Sequence, residues 1–259
     1  LEQQIKSHSA SSTVTDAKCL LIIARERLVQ LYKQLDTGSK SWDEECVQKF
    51  KAFRNTFYPY LHQYPNDYMQ VYWVVEYELW AHNFSYKNWE TYLDTMQELE
   101  AEAELLPFSL AKWVSCHVLG THYADYNGEK DDAKVYHYYR LMAELRDQPY
   151  VLEAMSDSYT KEITGYLYAL SFISTGQVDE AIKFWGEVAD FYGPTHYFAS
   201  MAAYMRARYI ADNDNATQEE AVSVWEDFFK RFPGVIGTER AKTNLGKVYV
   251  RFGAYEKAA

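Results

Sequence analysis

The sequence predicts an all-α protein, a solenoid of about six antiparallel helix hairpins. Three observations predict it. Glycine (11) and proline (6) are scarce for 259 residues. Together they make about 7% of the chain, against about 12% in average usage, and β-sandwiches and barrels need many tight turns. Apolar residues recur at helical spacing almost everywhere, and no segment alternates convincingly as a strand. The connections between the periodic segments are short, which makes neighbouring helices antiparallel hairpins.

The elements follow in chain order. Residues 1–12 read as a flexible polar lead-in, with Ser7, Ser9, Ser11, Ser12 and Thr13 clustered. Ala17, Leu20, Ala24, Leu28, Leu31 and Leu35 mark the first helical stripe, and Gly38 stops it. Ser41 and Glu44 have capping-box spacing: the serine hydroxyl accepts from the Glu44 N–H while the glutamate reaches back. They open a second helix with Val47, Phe50, Phe57 and Leu61, which Pro59 is expected to kink or end. Pro65, Asn66 and Asp67 mark the next break. A third helix carries Val71, Val74, Val75 and Leu79 towards His82, and a fourth spans about 86–105 with Trp89, Leu93, Met96 and Leu99 inward. Its acidic residues Glu98, Glu100, Glu102 and Glu104 read as a solvated face. Pro107 ends it. Ser109 is placed to cap a fifth helix, Asn127 and Gly128 form a turn, and a sixth helix runs from 131 to about 146. Further helical segments are expected at 150–175, 178–192, 195–211, 217–231, 237–252 and from 254, with a second capping box at Thr217 and Glu220. That is about twelve helices.

An internal repeat runs through the second half. Leu245 and Gly246 are followed by Tyr249, Gly253 and Ala258. Small residues let paired helices approach, the aromatic fills the space between them, and the glycine makes the turn. The same spacing recurs at Tyr168, Ala169, Phe172, Gly176, Ala181 and Trp185, closed by Gly193 and Pro194. A middle unit has Tyr209, Ala221, Trp225, Phe228 and Pro233, with extra residues at Asn213, Asp214 and Asn215. An earlier one has Leu119, Gly120, Tyr123, Gly128 and Ala133.

These units resemble tetratricopeptide repeats, stacked helix–turn–helix units of about 34 residues. The resemblance is strong over 113–259 and degraded over 13–112, so the chain reads as one continuous solenoid. The last unit stops early in its second helix. An incomplete repeat leaves an apolar face uncovered, so the expectation is that the chain continues or that this end packs on another chain. The stretch from Trp225 to Pro233, leading into Leu245, Gly246 and Tyr249, also resembles the repeat variants of bacterial envelope proteins. Those include lipoproteins that assemble outer-membrane proteins and coordinators of cell division. That favours an envelope location slightly over the cytoplasm.

Charge and motifs limit the function classes. Twenty-six basic against 37 acidic residues give a net charge of −11, which disfavours nucleic acid as a partner. No run approaches 18 apolar residues, so no transmembrane helix is predicted. Cys19, Cys46 and Cys116 fit neither a redox motif nor zinc spacing; they read as buried thiols, with a Cys19–Cys46 bridge as the alternative. His117 and His122 are spaced too far apart to share a helical ligand face, and the acidic turns after Asp125 and Asp212 lack the glycine and terminal glutamate of calcium loops. His137 reads as interface packing among Tyr136, Tyr138 and Tyr139. No phosphate loop or nucleophile elbow is present. No cofactor, metal or catalytic residue is therefore expected.

The resemblance implies a non-enzymatic scaffold that binds a protein or peptide along a concave groove lined by the first helix of each unit. Projected onto this sequence, the groove comprises His117, Thr121, Tyr166, Leu170, Ile173, Ala203, Ala207, Arg240, Lys247 and Arg251. It runs from apolar to basic and so suits a ligand with an apolar segment beside an acidic one. The alternatives are a self-assembling structural protein, joined through its uncovered terminal repeat as a homo-oligomer, and the helical regulatory region of a larger enzyme.

Overall fold

A computed structural model describes residues 54–55, 57–68, 70–71, 74–75, 89–125, 131–157, 160–234 and 238–258. The Ser41 capping box, Cys19, Cys46, Leu79, His82 and the Asn127–Gly128 turn lie outside the described residues. Among the described residues every regular element is a helix, and none is long and apolar enough to cross a membrane.

Residues 57–63 are helical, and the helix runs on through Pro59 to an N–H donated by Tyr64 to the Tyr60 carbonyl. Pro59 therefore does not end it. The break at 65–67 has a second task. Asn66 Oδ1 accepts the Leu110 N–H at 2.9 Å, and the Pro65 carbonyl accepts from Ala111. It thus satisfies donors that the start of a distant helix leaves open.

Ten helices follow. The helix α1 (Trp89–Leu105) buries Tyr92, Met96, Leu99 and Ala103, a stripe at spacings of four, three and four. Next, α2 (Leu110–Asp125) starts at Ser109, whose hydroxyl accepts the Lys112 N–H as expected. Residues 110–120 are all buried. A helix covered all round belongs to a core rather than to a groove wall. Asp131 caps α3 (Asp132–Leu145) by accepting from the Ala133 and Lys134 N–H groups at 3.0 Å.

The segment expected as one helix over 150–175 is two, α4 (Pro149–Ala154) and α5 (Lys161–Ile173). Polar side chains cause the break. Asp157 Oδ1 accepts from the Thr160 N–H at 3.1 Å, and the Thr160 hydroxyl donates to the Ala154 carbonyl at 3.0 Å. Such side chains take over groups that a continuous helix would pair within itself.

The remaining helices are α6 (Val178–Tyr192), α7 (Tyr197–Ala211), α8 (Gln218–Arg231), α9 (Thr238–Arg251) and α10 (Tyr255–Ala258). The capping box at α8 is present as expected: Glu220 N–H donates to Thr217 Oγ1 at 3.2 Å, and Thr217 N–H to Glu220 Oε2 at 2.8 Å. Gly176 and Gly253 make their turns at φ of 74°, where a side chain would be strained.

Apart from α3–α4, where the chain leaves the pattern, successive helices pack on one another, and α5 and α9 each also pack on α7. This pattern fits a helical repeat. Ala181 and Trp185 on α6 recur as Ala221 and Trp225 on α8, all with no exposed surface. Trp185 meets Tyr209 and Trp225 meets Tyr204 in tilted ring contacts, with centroids 5.4 and 5.5 Å apart. The earlier unit departs from this. Ala133 is exposed near the start of α3, and the close approach is made instead by Gly120, where an added Cβ would lie 2.8 Å from the Tyr139 ring.

Candidate functional site

The residues projected onto one groove separate into two groups. His117 and Tyr166 are inside the protein, 9% and 8% exposed, and so are Ala203 and Ala207. The Tyr166 ring meets Phe198 at 5.7 Å. Thr121 turns towards α3, where its hydroxyl lies 3.2 Å from the Tyr139 hydroxyl. Leu170 and Ile173 are half-buried against the core. These positions wall off the expected apolar half of the groove. The first helix of each unit is covered there by its neighbours, so the family projection alone did not place its surface.

The basic half is open. Arg240 and Lys247 are exposed and line a cleft of about 490 Å³ between α7 and α9, together with Tyr204, Arg208, Asp212, Glu239, Thr243 and Asn244. The fold builds it from the α9 stripe. Ala241 and Val248 point into the core, 0% and 4% exposed, which turns Arg240, Asn244 and Lys247 outward. Asn244 Nδ2 donates to the Tyr204 hydroxyl at 2.9 Å and ties the two walls together. Tyr204 is held in turn by Trp225 and Phe228.

The charges in the cleft are unevenly matched. Arg208 pairs with Asp212 at 3.5 Å, and Glu239 with Lys242 at 2.8 Å. Among the described residues no carboxylate pairs with Arg240 or Lys247. Arg251, the third expected cation, lies beyond the cleft lining, its guanidinium 4.5 Å from the centre of the Phe252 ring. Chemically, the cleft offers two cationic donors and a polar floor. It brings together no nucleophile with a base, and the described residues hold no group of three or more metal-ligating side chains.

A second polar cluster was not legible in the sequence. Glu100 accepts from the Tyr138 hydroxyl at 2.6 Å, the Tyr123 hydroxyl at 2.7 Å and Lys134 Nζ at 2.9–3.0 Å. Burial works to raise its pKa, but these donors overcome that and hold the carboxyl below the ordinary range. Beside it, His122 Nδ1 lies 2.7 Å from the Tyr92 hydroxyl. Burial lowers the His122 pKa to about 4, with Glu100 opposing and Lys134 assisting. Glu100, His122, Tyr123 and Lys134 edge an open cleft of about 690 Å³. Its one cation, Lys134, is already matched to Glu100, so it offers an acidic ligand less than the α7–α9 cleft does.

His137, expected to pack within an interface, is exposed, with Glu104 3.9 Å away. Cys116 is a buried free thiol, and burial pushes its pKa up to about 12. Compared with known protein families, curated proteins and solved structures, the chain matches none of them.

Proposed function

We propose that this chain is a non-enzymatic scaffold of the tetratricopeptide type, a superhelix of about six antiparallel hairpins, that binds an acidic protein segment in the cleft between α7 and α9. One observation carries the reading. Arg240 and Lys247 face an open cleft with no carboxylate partner among the described residues, in a chain whose net charge is −11. An unmatched pair of cations on an acidic molecule marks where an anionic partner is attracted and where most other surface repels it. The recurring Ala181–Trp185 and Ala221–Trp225 pairs support the repeat architecture. The burial of His117 and Tyr166 supports a site on the C-terminal units rather than along the whole array.

The test is a fluorescence-anisotropy titration with labelled twelve-residue peptides, one glutamate-rich and one lysine-rich. The glutamate-rich peptide should bind saturably and more weakly as salt rises, because exposed charges are screened. The double variant Arg240→Glu, Lys247→Glu should lose that binding. Equal binding by both peptides, or retention by the double variant, rejects the cleft as the site. Absence of peptide binding, with a sedimentation coefficient that rises with protein concentration, replaces the scaffold reading with self-assembly.

A further inference from the structure

We infer that the occupant of this cleft is an α-helix carrying two carboxylates seven residues apart, lying alongside α9; this rests on the binding reading above. The argument starts from the spacing of the cations. Arg240 and Lys247 stand on one face of a straight helical segment, so their attachment points are about 10.5 Å apart along its axis at 1.5 Å per residue. A partner helix reproduces that interval, because residues seven apart return to nearly the same face after two turns. An extended partner matches it less closely. Its same-face side chains recur at multiples of about 6.8 Å, so the needed separation falls between two and four residues.

The floor of the cleft presents isolated polar side chains rather than the regular ladder of groups that an extended backbone pairs with. Asn244, midway between the two cations, donates to the hydroxyl of Tyr204 opposite it at 2.9 Å. A helix brings its backbone groups internally paired and so asks nothing of that floor. Arg208 and Glu239 at the cleft margins are matched by Asp212 and Lys242. Only the Arg240 and Lys247 positions remain to be neutralised, and the partner's two acids fill that role by charge-assisted hydrogen bonds.

Twenty-residue alanine-based peptides, helical by circular dichroism, test this directly. One carries glutamates at i and i+7, a second of the same composition carries them at i and i+5, and a third has glutamines at i and i+7. Titrated against the full chain, the i,i+7 glutamate peptide should bind at least tenfold more tightly than the i,i+5 peptide, and the glutamine peptide should not bind. The Arg240→Glu, Lys247→Glu chain should reject the glutamate peptide and accept one with lysines at i and i+7. Both substituted positions are exposed, so the fold is retained and the reversed peptide checks it. Equal affinity for the two glutamate spacings overturns the helical partner and leaves the acidic-ligand reading standing. No binding by either glutamate peptide overturns both.

Discussion

His117 sits in α2, on the stretch of that helix buried on every side, and its Nδ1 has no hydrogen-bond partner among the described residues. Burial lowers its pKa from 6.5 to about 4. In the unfolded chain the imidazole takes up a proton as the pH falls through 6.5, while the folded chain resists until about 4. Stability is therefore full above pH 6.5, is lost progressively towards pH 4 and levels off for this group below that. The gap between these two values sets the size of this loss at roughly 3 kcal/mol. His122 is shifted in the same direction and adds to it. His117→Leu removes the proton acceptor and fills similar space. Urea unfolding at pH 7, 6, 5 and 4 should show a shallower fall in stability for the variant than for the parent. The same slope in both would mean that the imidazole is not held neutral by its surroundings.

At the scale of the element, α1 shows how an acidic run becomes structural. Residues two apart on a helix cannot share a face, so the four glutamates from 98 to 104 divide into two pairs. Glu98 and Glu102 turn to the upstream helical residues, where they meet Arg54 and His62, the latter at 2.6 Å. Glu100 and Glu104 turn to α3. Glu100→Gln removes an acceptor that serves three donors, two of them phenols of side chains packed in the core, and should cost about 1–3 kcal/mol. Glu104→Gln touches only an exposed histidine at 3.9 Å and should stay within about 0.5 kcal/mol of the parent. Denaturant midpoints for the two variants separate the roles, and equal shifts would show that the Glu100 cluster contributes no more than an exposed pair.

The contrast also shows what a sequence reader can reach. Ser109 and Thr217 act on backbone within three residues, and the Gly176 and Gly253 turns are equally local, so spacing alone located them. The partners of Glu100 and Glu102 lie 23 to 40 residues away, and no local pattern announces them. The same limit applies to the groove. A helical period says which residues share a face, but only the neighbouring helices decide that the face of His117 is covered and that of Arg240 is open.

For the whole molecule, the core divides along the chain. One buried cluster runs from Phe57 to Val188 with Ala202 added, and a second from Ala189 to Val248. The seam falls at α7, which gives Ala202 to the first cluster and Ala199, Ala203, Ala207 and Ala211 to the second. When units touch mainly their neighbours, stability is close to a sum of unit and interface contributions, and a weakened unit can open without its distant neighbours. Trp225 is the largest fully buried side chain of the second cluster. Trp225→Ala should remove about 3–5 kcal/mol from that cluster. α7 packs closely on α5 and α6, but α1 and α2 lie beyond that junction, so the consequence should be a split transition rather than a uniform shift. In hydrogen exchange, amides of α8 and α9 should lose protection early while those of α1 and α2 keep theirs. Trp185→Ala, the equivalent position in the first cluster, should reverse the order. If either variant unfolds in one cooperative step with protection lost evenly from α1 to α9, the two clusters are energetically one core, and loss of the α7–α9 cleft would then be inseparable from loss of the fold.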